Sequence, residues 1–316
     1  MRAPSPRSTP LLLPSRSGPP PRWPRACAWA AIPAGARRTA AAGGSGTLTL
    51  VRIATFNILH GLSLADGRVD LDRFVEAVRS LDADVLCLQE VDRHQERSGH
   101  ADLTALAAET MGAVAHRFVA AVSGTPGEAI CTATGEEPPD AAAYGVALVS
   151  RHPATAWQVV RLPSAPVTVP MWFGGPKPIW VTDEPRVAVL ADLETPLGDL
   201  RVGTTHLSFV PWWNGRQLRL VRGVMTTPRP RRGSAARGQQ GPTVPTILTG
   251  DLNMGARRAG RLTGMRSLAT GPTFPVQRPV VQLDHILSDD PDLVSDDQRV
   301  VRFDLSDHRA LVTDLR

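Results

Sequence analysis

From Leu48 onward the chain alternates short apolar runs with segments of helical periodicity. Leu50 to Ile58 is an apolar run that predicts a strand with Phe56-Asn57 at its end. Leu71, Phe74, Val75, Val78 and Leu81 recur at three- and four-residue spacing, which predicts an amphipathic helix with Asp70 as its N-cap. Asp84 to Leu88 predicts a short buried strand ending in Gln89-Glu90. Leu103, Leu106, Ala107 and Met111 predict a second helix stopped by Gly112. Val114 to Val122 and Gly145 to Ser150 predict strands, with a loop from Ser123 to Asp140 between them. Leu162 to Pro185, rich in proline and tryptophan, is expected to be an irregular insertion. Arg186 to Leu193 and Leu200 to Thr205 predict a hairpin turning at Gly198-Asp199, followed by a helix over Asn214 to Met225. The last strands are predicted at Val244 to Leu248, at Val280 to Leu287 with Asp284-His285 interrupting it, at Val300 to Phe303, and after Ser306-Asp307-His308 up to Leu315. Strand-rich halves with outer helices predict an α/β domain of two packed sheets over residues 49–316.

Composition sets bounds on this picture. The 316 residues are 42% hydrophobic and 21% charged, as in an ordinary globular protein. No run approaches the roughly 18 apolar residues of a membrane span. Three cysteines, Cys27, Cys87 and Cys131, carry no metal-ligand spacing and no disulfide framework, which favours a reducing, cytoplasmic setting. Residues 1–48 hold seven arginines and no acid, without periodicity. This predicts disorder, in a segment that fits either a transit-like extension or a start codon placed too early. Residues 226–242 hold four more arginines without an acid and predict a flexible basic loop. Setting those eleven charges aside turns the net charge of +5 into −6 for the remainder, so the overall balance is no evidence of a nucleic-acid footprint.

Candidate chemistry sits where the apolar runs stop. Thr249-Gly250-Asp251-Leu252-Asn253 follows a buried run, and strand alternation would aim Asp251 and Asn253 to one side; an Asx turn is the plainer alternative. Asn57, Glu90, His206, Asp284 and the pair Asp307-His308 occupy other strand ends. Glu90, Asn57 and Asp307 offer hard oxygen donors to a cation. Asp251 or His308 can take a proton from water, and Asn253, His206 and His308 can donate to a phosphate oxygen. Asp284 can orient His308. Arg186 fits either a phosphate contact or a structural ion pair, and Asp92, Arg93 and His94 fit a solvated loop.

The stretches RIATFNILHG, DADVLCLQEVDR, YGVALVSRHP, EPRVAVLADLE, TTHLSF, TGDLNMG, LDHILS and LSDHRALV, in this order over residues 50–313, resemble the endonuclease/exonuclease/phosphatase superfamily with the DNase I-like fold. The resemblance implies a four-layer α/β sandwich of two mostly antiparallel sheets flanked by helices. It implies Mg²⁺ or Mn²⁺ held by Glu90, with Asn57 and Asp307 close by. Asp251 and Asn253 would act on the nucleophile and the phosphate, and His206 and the His308–Asp284 pair would contact phosphate oxygens. Gln217 also fits a family position, with a structural role. The function expected is hydrolysis of a phosphodiester (nucleic acid, phospholipid headgroup or small metabolite) by a monomer without an obligate protein partner. Two other readings stand beside it: a catalytically silent binding module on the same fold, and a nucleic-acid-binding protein acting through the Arg-rich segments.

Overall fold

Residue alternation along the strands decides which layer each side chain joins. The computed structural model describes residues 38–41, 47–125, 130–171, 177–227 and 244–316. The chain divides into two units, residues 1–31 and 32–316, of which the first lies wholly outside the described residues. In order the elements are β1 (Arg38–Ala41), β2 (Thr47–Asn57), α1 (Leu71–Leu81), β3 (Val85–Arg93), α2 (Leu103–Met111), β4 (Ala115–Gly124), β5 (Ile130–Thr132), β6 (Ala143–Ser150) and β7 (Ala154–Leu162). They continue with β8 (Thr168–Met171), β9 (Ile179–Thr182), β10 (Arg186–Thr195), β11 (Gly198–His206), α3 (Pro211–Met225), β12 (Thr246–Asp251), α4 (Ala256–Thr263), β13 (Arg266–Ser267), β14 (Asp284–Ser288), β15 (Ser295–Val301) and β16 (Ala310–Leu315).

One sheet runs β15-β16-β2-β3-β6-β4-β5, with β1 pairing the start of β2, and the other runs β13-β14-β12-β11-β10-β7. Each sheet contains one parallel pair, β2–β3 connected through α1 and β11–β12 connected through α3; the other pairs are antiparallel. Val51, Ile53, Val85 and Cys87 of the first sheet meet Val187, Val189, Val202 and Ile247 of the second in the central core. The alternate positions Phe56, Leu86 and Leu88 face α1 and α2 through Phe74, Val78 and Leu103. On the far side, Leu190 and Leu248 meet Leu218 and Val221 of α3 and Ala259 of α4. The result is the expected four-layer α/β sandwich. Asp70 caps α1 by accepting from the backbone N–H groups of Asp72 and Arg73, and Gly112 closes α2 at φ +63°, both as predicted.

Several boundaries differ from the sequence expectation for identifiable reasons. β3 does not stop at Glu90: a register shift between Gln89 and Val91 lets Val91–Arg93 continue pairing with β6. Asp92 is therefore fully buried and held by Arg97 at 2.7 and 2.8 Å, not a solvated loop residue. The insertion over residues 162–185 contains the β8–β9 hairpin, whose strands pair only with each other and so tolerate Pro170. Asp284 opens β14 where it had been placed inside a longer strand, and β15 spans Ser295–Val301, earlier than expected. β7 and α4 were not predicted. β7 is half-buried along most of its length, and α4 buries only Ala259 and Thr263, so neither leaves an apolar pattern. β1 lies within the segment expected to be disordered. Residues 1–37, and residues 228–242 of the basic loop expected at 226–242, lie outside the described residues. No helix among the described residues is long and apolar enough to cross a membrane.

Candidate active site

The two parallel pairs end together. Asn57 of β2 is in register with Gln89 of β3, and His206 of β11 with Asp251 of β12. β14 runs antiparallel to β12 and begins opposite Asp251 with Asp284, while the Ser306-Asp307-His308 turn leads into β16. Six distant segments thus deliver polar side chains to one edge of the sandwich.

Asp251 is the hub. Its Oδ1 accepts the Asn253 N–H at 2.9 Å, the Asx turn considered from sequence. Its Oδ2 accepts from Asn57 Nδ2 at 3.1 Å and lies 3.5 Å from His206 Nε2 and 3.6 Å from His308 Nε2. The same Asn57 amide donates to Glu90 Oε1 at 2.9 Å, and its oxygen accepts the Leu59 N–H at 3.2 Å. As oriented here, Asn57 is a donor between two carboxylates. Asn253 has φ +48° and leaves the strand alternation, so its side chain does not run parallel to that of Asp251 but donates to the Leu207 carbonyl. His308 Nδ1 donates to Asp284 Oδ2 at 2.8 Å. Glu90 reaches the site because it occupies the β3 bulge with φ +57°, which turns its side chain out of the alternation.

The charges follow from burial and neighbours. Burial raises the Glu90 carboxyl above its ordinary value, Asp307 adds to the rise, and the Asn57 bond opposes it. Asp251 is likewise raised, chiefly by burial. Burial pushes His308 down, but Asp284 and Asp251 together outweigh it and hold the imidazole protonated above its usual range. His206 is held well below its usual value by burial and by the Arg186 and His308 charges. Arg186 is buried, pairs with Asp183 at 3.7 Å and lies 3.3 Å from His206 Nδ1 through its own Nη1. Since a guanidinium only donates, His206 Nδ1 is the acceptor and Nε2 carries the proton.

A hard divalent cation fits this donor set. Asp307 Oδ1 is buried without a hydrogen-bond partner, and its charge bears on Glu90. Asp251, Asp284 and His308 also place ligand atoms within 4.8 Å of one another, but there the imidazole already serves as the cation between the carboxylates. Two features escaped the sequence reading. Tyr144, the chain's one tyrosine, hydrogen-bonds Glu90 through its side chain, and it sits opposite Asp92 across β3–β6. Arg97 lies 5.5 Å from the Tyr144 ring centroid. Only knowledge that β3 continues past Glu90 would have placed these together. Gln217 is structural as expected, accepting the Ser208 N–H and donating to the Pro163 carbonyl.

The fold is a two-sheet α/β sandwich with an acid–imidazole cluster at its strand ends. The family model for the endonuclease/exonuclease/phosphatase family matches residues 54–308, and the chain belongs to that family. Family members are hydrolases acting on phosphoester bonds and generally use divalent metals. Among solved structures, an endonuclease/exonuclease/phosphatase from Beutenbergia cavernae DSM 12333 is 23% identical, with 84% of this chain and 71% of that chain covered and a TM-score of 0.59. A mannosyl-6-phosphatase from Bacteroides thetaiotaomicron VPI-5482 is 16% identical (84% and 99% covered, TM-score 0.54). The human Nocturnin catalytic domain with bound sulfate is also 16% identical (84% and 94% covered, TM-score 0.52). At these identities the likeness is one of fold. A comparison with curated proteins finds no match.

Proposed function

We propose that the protein is a divalent-metal-dependent phosphodiesterase that hydrolyses its substrate by in-line attack of water. The observation that carries this is the meeting of Glu90 and Asp307, the latter with an unpartnered buried oxygen, with the Asp284–His308–Asp251 series at one strand-end edge. Mg²⁺ or Mn²⁺ held by Glu90 and Asp307, beside Asn57, would neutralise phosphate charge and stabilise the leaving oxygen. Asp251 accepts the proton of the attacking water: burial makes its carboxylate more basic, and the Asn253 N–H fixes its orientation. His308, kept cationic and oriented by Asp284, donates Nε2–H to a non-bridging oxygen. His206 remains neutral and offers a second Nε2–H donor, with its tautomer set by Arg186. That assigns Arg186 a positioning role beside the phosphate.

A diester suits the site better than a monoester. Several carboxylates surround few cations, so a singly charged phosphate meets less repulsion than a dianion. The test is hydrolysis of bis-p-nitrophenyl phosphate against p-nitrophenyl phosphate with Mg²⁺ or Mn²⁺. The diester should turn over faster, and EDTA or Asp251→Asn should abolish turnover. Turnover that survives both controls overturns the mechanism, and metal-replete protein without any turnover favours a silent binding module.

A further inference from the structure

The outer helices of the second sheet carry a charge asymmetry that the overall balance conceals. α3 (PWWNGRQLRLVRGVM) and α4 (ARRAGRLT) pack against one another and contain six arginines and no acid. On α3, Trp212, Arg216 and Arg219 are exposed at spacings of four and three residues, one stripe spanning about 10 Å. On α4, Arg257 and Arg261 are exposed one turn apart. Several arginines of the chain meet carboxylates, as in Arg52–Asp314, Arg201–Asp192 and, on α3 itself, Arg222–Asp289 at 3.0 Å. Among the described residues, Arg216, Arg219, Arg257 and Arg261 make no ion pair, and Arg216 lies 5.1 Å from the Trp213 ring centroid. A bias toward arginine in the whole chain, with Lys177 its one lysine, would not remove acids from two adjacent helices.

This face begins at the rim of the active site. α3 starts five residues after His206, and Asn214 in its first turn donates to the Asn253 carbonyl at 2.8 Å. α4 starts three residues after Asn253. Arginine forks match phosphate oxygens, and an exposed indole offers a stacking face to an unpaired base. Trp212 is 55% exposed, enough to present such a face. A membrane would need a broad apolar surface, yet Leu220 is the one other large apolar side chain exposed on α3 and α4 exposes none. We propose that α3 and α4 form a docking surface for a single-stranded nucleic acid, whose phosphodiester backbone runs from the active site across these arginines. The path into the site rests on the phosphodiesterase reading; binding to the helices is separable from it.

The test measures anisotropy of a labelled oligothymidylate of about 20 nucleotides with the full chain in EDTA, as a function of salt. Replacing Arg216, Arg219, Arg257 and Arg261 by Gln together should weaken binding at least tenfold and flatten the log–log salt slope by about 2–3, from roughly 0.7 per phosphate contact. Trp212→Ala should weaken binding roughly 5- to 150-fold. Hydrolysis of bis-p-nitrophenyl phosphate with Mn²⁺ should stay within about twofold in both variants. A set of Arg→Lys replacements at the four positions should keep the slope; equal loss in that set means a structural effect and overturns the proposal. So does a Gln variant that binds the oligonucleotide like the parent, or a parent that prefers phosphatidylserine vesicles and loses only those. A parent that binds oligonucleotide through these residues but hydrolyses no diester supports the surface while refuting the catalytic reading.

Discussion

Gly250→Ala is a sharp test of how tightly the site is built. Gly250 has φ +122°, a backbone conformation closed to L side chains, and sits in β12 directly opposite Thr205 of the parallel neighbour β11. A Cβ there would lie 2.0 Å from the Thr205 carbonyl oxygen and 3.0 Å from its carbonyl carbon and amide nitrogen. These are backbone atoms at the centre of a sheet, so no side chain can swing aside; the strands must separate by about 1 Å. Backbone strain of about 1–3 kcal/mol and a comparable cost for overpacking sum to about 4 kcal/mol. At about 2–4 °C per kcal/mol for a domain of this size, the melting temperature should fall by roughly 8–16 °C. The displaced residue adjoins Asp251, whose Oδ2 holds its distances to Asn57, His206 and His308 through this strand pairing. A 1 Å error in such a group costs on the order of 10² in rate. Calorimetry and diester kinetics on the parent, Gly250→Ala and Gly255→Ala decide the matter. Gly255 has φ −68° and open space around its Cβ, so its variant should match the parent. A Gly250→Ala protein that melts within about 2 °C of the parent and keeps half its rate would refute the reasoning.

Other outcomes follow from single contacts. Glu90→Gln should weaken Mn²⁺ binding by about tenfold or more in calorimetric titration; an unchanged affinity would remove Glu90 from the metal site. Asp284→Asn leaves buried His308 without its orienting carboxylate, so kcat should drop by roughly 10² to 10⁴ with KM little changed, and a drop under threefold would contradict the assigned role. Burial, then the Arg97 charge, lowers His60 to about 4, whereas the unfolded chain protonates it near 6.5. Between these values the unfolded state holds more protons, so stability falls as pH drops from about 6.5 to about 4. His60→Asn, suited to φ +47°, should flatten that part of the melting-temperature profile; an unaltered slope from pH 7.5 to 4.5 would exclude His60 as its source.

The layers of the fold were legible because buried strands and amphipathic helices write their burial into the sequence. Phe56, Phe74, Leu88 and Leu103 each stand at the period that the structure uses. The candidate residues were legible for a related reason: polar groups ending apolar runs at Asn57, His206 and Asp251 are costly to bury without a use. What stayed hidden was local geometry. The bulge that turns Glu90 outward breaks strand alternation, and with it went the continuation of β3 and the burial of Asp92. Asn253 adopts φ +48°, so period-two reasoning aimed its side chain wrongly. The half-buried β7 and the small buried face of α4 carry too little apolar signal for any periodicity to register. Net charge hid the arginines of α3 and α4 because acids elsewhere on the body cancel them in the sum.

Topology ties the edge that carries the candidate site to that basic face. In antiparallel sheets, hairpins close over both ends of the strands. A parallel pair instead needs a crossover, and α1 and α3 carry the chain away from β2 and β11 back to the starts of β3 and β12. The trailing edge of each parallel pair is left uncovered, so Asn57, Glu90, His206 and Asp251 can project there without a turn in the way. The crossover that frees the edge must also depart from it, which puts the first turn of α3 beside Asn253. α4 leaves the same edge after β12. A substrate lodged among the strand ends therefore has beside it, on the second sheet, the helical surface on which Arg216, Arg219, Arg257 and Arg261 make no ion pair among the described residues.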